Sequence, residues 1–248
     1  MQLSRKEIWL HRLEILDPRT LCKLTTRTLR RRRKDYRKIY RMTLRRWLLY
    51  HNKHIVFDEC LWMGVSTLKN PLDAWIFQEI IFEVRPDVII EIGSAAGGTT
   101  LFLANMLDLL GEGLVVSVDI DRSEFDIKHR RVKCVTGESS DPSTVAQVAV
   151  FCEDKTVLII HDGDHNKPQV LKDLEAYSSM VTPGSYFIVE DGLVDLFKPN
   201  RVFGLFPDGG PLDAVEEFLE RNRDFVPDRK RERYLITFNP MGYLKKVH

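Results

Sequence analysis

Over most of its length the chain repeats one pattern, a short aliphatic run followed by a helix-length segment. The runs occupy 87–93 (D-V-I-I-E-I-G), 114–119 (L-V-V-S-V-D), 131–135 (R-V-K-C-V), 157–162 (V-L-I-I-H-D) and 186–191 (Y-F-I-V-E-D). Runs this short and this rich in Val and Ile predict buried strands, and strands alternating with helices predict a parallel sheet covered on both faces. Upstream, Asn70 and Pro71 lead into L-D-A-W-I-F-Q-E-I-I-F-E-V. An Asn N-cap with proline at the first helical position predicts a helix there. The chain closes differently. R-Y-L-I-T-F-N-P-M-G-Y-L-K-K-V holds two strand-like runs joined by Asn239-Pro240-Met241-Gly242, a hairpin and not a crossover.

Charge separates the N-terminal stretch from this pattern. Residues 1–50 hold 16 of the 37 Lys+Arg and 4 of the 36 Asp+Glu, a net of +12, which leaves 21 against 32, or −11, for the remainder. Opposite signs mark 1–57 as a basic arm attached to a domain at 58–248. The arm reads as helical, with Tyr36, Tyr40 and Trp47 set around the run Arg30-Arg31-Arg32-Arg33-Lys34. Such a helix packs its aromatic stripe on its own domain or on a partner subunit, which makes a homo-oligomer the expectation. The alternative is an electrostatic footprint for nucleic acid. No run approaches the roughly 18–20 apolar residues of a membrane span, and the N-terminus offers no secretion signal. The four scattered cysteines read as reduced thiols of a cytoplasmic protein.

Candidate chemistry gathers where strands end, because ligands of open α/β sheets bind outside the carboxyl ends of parallel strands. After the first strand comes E-I-G-S-A-A-G-G-T-T, which opens a helix. Gly93 permits a tight turn, and Gly97 and Gly98 let backbone N–H groups approach a ligand closely. Asp119, ending the second strand, is placed to accept from ribose hydroxyls. A nucleoside ligand is expected. The spacing Gly93-x-x-x-Gly97-Gly98, the acid Glu91 ahead of the turn and the closing hairpin disfavour a nicotinamide oxidoreductase. They suit a methyltransferase using S-adenosylmethionine.

At the fourth and fifth strand ends stand Asp162, Glu190 and Asp191, on neighbouring strands about 4.8 Å apart. Carboxylates this close need a compensating cation, and an all-oxygen set suits Mg²⁺ or another hard divalent ion. His161 alternates to the face opposite Asp162 and reads as a structural histidine. Asp164 reads as the cap of a helix beginning near His165.

The segment W-M-G-V-S-T-L-K-N-P-L-D-A-W-I-F-Q-E-I-I-F-E-V-R-P-D-V-I-I-E-I-G-S-A-A-G-G-T-T-L-F-L-A, then H-D-G-D-H, V-E-D-G and G-G-P-L-D-A-V-E-E-F-L, resembles the family of rhamnosyl O-methyltransferases and cephalosporin hydroxylase-type proteins. The likeness runs from about 58 to 248 and leaves the arm outside it. It departs from the usual glycine motif at Ala95, which stands where the middle glycine is expected. It implies a Rossmann-like, seven-stranded methyltransferase sheet with a C-terminal antiparallel hairpin, and metal-dependent methyl transfer to a hydroxyl, often of a sugar. It also implies a cation at Asp162, Glu190 and Asp191, with His165 as general base. The expected cofactor-binding set is Lys69, Glu91, Gly93, Ser94, Gly97, Gly98, Thr99, Asp119, Ser139 and Asp162. Residues 192–211, with Phe197, Phe203 and Phe206, are expected to form a lid over a small-molecule or saccharide acceptor.

Overall fold

The computed structural model describes residues 37–197 and 206–248. The Arg30–Lys34 run and the centre of the expected lid, Phe203 included, lie outside them. The chain divides into two compact units at His51–Asn52, ahead of position 57, where charge and likeness place the boundary. In the first unit, helix α1 (Leu44–His51) stacks Trp47 on His51 with ring centroids 4.6 Å apart.

The second unit begins with a π-helical turn at Asn52–Val56, a short helix α2 (Phe57–Glu59), and a ribbon of β1 (Leu61–Trp62) and β2 (Val65–Ser66). The helix expected after Asn70 is α3 (Pro71–Val84). The Asn70 side chain accepts from the Leu72 N–H, and Arg85 ends the helix in the left-handed region at φ 49°. The wound region follows as β3 (Val88–Ile92), α4 (Gly98–Leu110), β4 (Leu114–Asp119), β5 (Val132–Thr136), α5 (Pro142–Ala149), β6 (Val157–His161), α6 (Lys167–Tyr177) and β7 (Tyr186–Val189). After it come α7 (Leu193–Leu196), α8 (Pro211–Arg221), β8 (Phe225–Pro227) and β9 (Tyr243–Lys246).

Seven strands pair in the order β5-β4-β3-β6-β7-β9-β8. The first five are parallel, while β9 runs antiparallel to both β7 and β8. The closing hairpin is therefore present, but its first arm is Phe225–Pro227 and not the expected run at 234–238. That run spends its polar groups elsewhere: the Phe238 N–H and the Thr237 hydroxyl both donate to the Asp73 carboxylate, at 2.8 and 2.6 Å. With those groups engaged, and Leu235 at φ 62°, the run does not extend a ladder.

Alternation along the strands divides the core between the two faces of the sheet. Ile90, Ile92, Val116, Ile159 and Phe187 enter one cluster. Ile89, Val115, Leu158, Ile160 and Ile188 enter the other. Each such side chain contributes about 1.5–3 kcal/mol by leaving water. The central strands β3 and β6 are buried along their whole length, which fixes where their carboxyl ends open. No helix among the described residues is long and apolar enough to cross a membrane. The described cysteines, Cys60, Cys134 and Cys152, carry free thiols.

Candidate active site

The carboxyl ends of β3, β4 and β6 frame a cavity of about 460 Å³. Two differently built ends meet in it.

The first end is made of backbone. Gly93 leaves β3 at φ +85°, and a Cβ there would lie 2.2 Å from the Asp162 carbonyl oxygen. A Cβ on Gly98 would lie 2.1 Å from the Ser66 carbonyl oxygen, so only glycine admits the ribbon against the start of α4. Ala95 occupies the left-handed region at φ 44°. An alanine adopts this conformation at a cost of about 1–2 kcal/mol. The Asp119 Oδ2 accepts from the N–H groups of Ser94 at 2.7 Å and Ala95 at 2.9 Å, so this acid fastens the turn while facing the cavity. Arg122, which carries no sequence signal, lies beneath the turn. It donates to Ser94 Oγ, Ser117 Oγ and the carbonyls of Ser117 and Val135. Of the expected cofactor-binding residues, Ser94, Gly98, Thr99, Ser139 and Asp162 line the cavity. Gln169 lines it too, reaching Ser139 Oγ and Ser140 Oγ from α6; nothing local in the sequence marks it.

Three members of the expected cofactor set do not line this cavity. Gly97 caps α4 at φ 86° and packs against Phe125 and Ile127. Glu91 is fully buried and accepts from the Thr100 hydroxyl, while its Oε1 has no partner. Burial pushes its carboxyl up to about 8. Lys69 points to the acids instead.

The second end is made of side chains. Lys69 Nζ donates to Asp162 Oδ2 at 2.7 Å and also to Glu190 Oε1. Burial alone would lower the ammonium's pKa, but Asp162 and Glu190 outweigh it and raise it. Glu190 is raised well above the usual carboxyl range by burial and by the charge of Asp162, against the pull of Lys69. The expected cation set therefore divides. Ligand atoms of Asp162, His165 and Asp191 lie within 4.8 Å of one another, and Glu190 faces Lys69 outside that cluster. Glu190 and Asp191 are successive residues whose side chains take different partners, and Asp191 leaves the strand end in the left-handed region at φ 59°. His165 Nε2 lies 3.3 Å from Asp191 Oδ2, and its Nδ1 has no hydrogen-bond partner. Burial is the main cause raising Asp191, with His165 opposing it.

His161 behaves as alternation requires, with its Nε2 2.9 Å from Asp173 Oδ2 and no exposure. Asp164 does not cap the helix directly. Helix α6 starts at Lys167 with Asn166 at the N-cap, and Asp164 Oδ1 accepts from the Asn166 N–H at 2.9 Å.

Residues 54–247 match the sequence profile of the rhamnosyl O-methyltransferase/CmcI family. A rhamnosyl O-methyltransferase of Mycobacterium leprae is 32% identical over 198 residues, which cover 77% of this chain and 85% of that protein. One of Mycobacterium tuberculosis is 28% identical over 199 residues, covering 77% and 80%. Among solved structures, CmcI with Mg and SAM shares the fold at a TM-score of 0.58 and 22% identity, covering 77% of this chain and 78% of that one.

Proposed function

Since the chain belongs to the rhamnosyl O-methyltransferase/CmcI family and is an S-adenosylmethionine-dependent O-methyltransferase, we propose that it methylates a hydroxyl of a sugar or glycosylated natural product with a divalent cation at the acid cluster. The observation that carries this is a single cavity bordered both by the glycine turn with Asp119 and by Asp162, His165 and Asp191. A nicotinamide dehydrogenase has no use for the second of these ends.

The donor residues fit a divalent ion. Asp162, Glu190 and Asp191 bring three carboxyl groups against the one ammonium of Lys69, and burial first, then the charge of Asp162, raises Glu190 and Asp191. Asp162 and Asp191 would hold the ion, and when bound it supplies Lewis acidity that lowers the acceptor hydroxyl's pKa. S-adenosylmethionine supplies the methyl group on its sulfonium, with Asp119 and the Ser94–Gly98 turn as its ribose and backbone contacts. His165 receives the hydroxyl proton on its imidazole, while Asp191 beside Nε2 orients the ring. Oxygen then bonds to the methyl carbon as the carbon–sulfur bond breaks. Since opposite charges are neutralised in this step, positioning is the main demand on the protein, and it can supply roughly 7–11 kcal/mol of barrier reduction.

The test is transfer of labelled methyl from S-adenosylmethionine to a panel of rhamnosides and other glycosides with Mg²⁺ present. Turnover on a glycoside is expected, with His165→Ala slower by ~10²–10⁴ in kcat. Wild-type kcat in that variant would remove His165 from the chemistry, and transfer to nucleic acid alone would favour the arginine-run reading of the arm.

A further inference from the structure

The acid cluster is tied to the rest of the fold through one buried carboxylate that nothing in the mechanism uses. Asp73, in the first turn of α3, is 2% exposed and has no cation bonded to it among the described residues. It accepts four hydrogen bonds instead: from Asn70 Nδ2 at 2.7 Å, Thr237 Oγ1 at 2.6 Å, the Phe238 N–H at 2.8 Å and the Tyr243 hydroxyl at 2.9 Å. A carboxylate that accepts this many bonds is held in one orientation, and it holds its donors in return.

Those donors belong to two separate arms of the site. Asn70 follows Lys69, whose ammonium holds Asp162 and Glu190, so one side of Asp73 fixes the stem of that cation. On the other side lies the loop that failed to become a strand. Thr237 Oγ1 also accepts from the Asn239 N–H at 3.0 Å, and Asn239 Oδ1 accepts from the Asp191 N–H at 3.1 Å. The Phe238 carbonyl accepts from the Leu193 N–H at 3.0 Å, fastening the same loop beyond Asp191. Asn239 is fully buried, and Asp191 sits at φ 59°, a conformation a non-glycine residue keeps only when its surroundings hold it.

We propose that Asp73 is a positioning residue of the active site: it joins the Lys69 stem to the Asn239 loop and so sets the separation of Asp162 and Asp191. The proposal rests on the reading of those two acids as cation ligands. It assigns work to the motif K-N-P-L-D, in which a cap and a helix start would otherwise suffice. Residues that orient metal ligands without touching the metal typically alter its affinity about 10- to 100-fold when changed.

The test compares Asp73→Asn and Thr237→Val with wild type in three measurements on the full chain. Mn²⁺ affinity is read by electron paramagnetic resonance, S-adenosylmethionine affinity by calorimetry, and the Asp191 amide resonance by NMR in metal-free protein. Expected in both variants are a displaced Asp191 amide, Mn²⁺ binding weaker by about tenfold or more, and cofactor affinity within about twofold. Thr237→Val, which removes one hydroxyl with its bonds to Asp73 and the Asn239 N–H, carries the test if Asp73→Asn does not fold. A lowered melting temperature with an unmoved Asp191 amide and wild-type Mn²⁺ affinity would overturn the proposal and leave Asp73 a core residue. If wild type binds no Mn²⁺ while the amide still moves in the variants, the cation reading fails and the tie between Asp73 and Asp191 stands.

Discussion

The two ends of the cavity reach their geometry by opposite means. At the cofactor end the determinants are carbonyls, N–H groups and the absence of side chains: Gly93 and Gly98 have no room for a Cβ, and Asp119 fastens the turn through two backbone N–H groups. At the acid end the groups that meet are charged side chains, with Lys69 between Asp162 and Glu190 and with Asp191 beside His165. The first end is pre-formed by the backbone of the turn and presents N–H groups together with a single carboxylate, Asp119. The second concentrates charge that is only partly balanced inside the protein. Backbone-built recognition and charge-built chemistry should therefore respond differently to substitution and to pH.

The larger expected effect belongs to the cofactor end. Asp119→Ala removes an acceptor for ribose hydroxyls as well as the clasp on Ser94 and Ala95. At about 1.5–3 kcal/mol for a charge-assisted hydrogen bond, S-adenosylmethionine affinity should fall by roughly 10- to 100-fold. Calorimetry with Mn²⁺ titrated separately sharpens the comparison, because the acid cluster is expected to keep its cation affinity. If both affinities fall together in a folded variant, the two ends are not independent.

A smaller effect is expected beneath them, at Glu91. Its carboxyl is pushed from 4.5 up to about 8 by burial. The folded state therefore holds a proton that the unfolded chain has already released. The stability linked to that proton is present in full below about pH 4.5 and is lost as pH rises towards 8. Glu91→Gln carries no such proton, so its unfolding free energy should decline less steeply between pH 5 and 8 than that of wild type, as read by urea denaturation across that range. Parallel declines would show that Glu91 is not the group that titrates.

How much of this was legible in the sequence follows the same division. The five parallel strands, the Asn70 cap and the glycine turn were readable because each depends on residues near in the chain, through strand period, cap chemistry and the room a glycine leaves. The acid end was readable only as a set of residue types. That Asp162 and Asp191 would meet could be expected from adjacent strand ends. That Glu190 would turn to Lys69 could not, because the partner lies 121 positions away. Arg122 and Gln169 escaped notice for the same reason, since each works through bonds that no local motif records. The misplaced hairpin arm at 234–238 has its cause in Asp73, 164 positions from Thr237, whose carboxylate claims the groups a strand would need.

The central claim is that the acid cluster holds a divalent cation as a function separate from cofactor binding. Asp191→Asn tests it most directly, with Mn²⁺ affinity measured by electron paramagnetic resonance and S-adenosylmethionine affinity by calorimetry on the same preparation. The account predicts Mn²⁺ binding weaker by about tenfold or more, since the half-buried ligand set loses one of its two negative charges, with cofactor affinity within about twofold of wild type. Mn²⁺ affinity equal to that of wild type in the folded variant would contradict it.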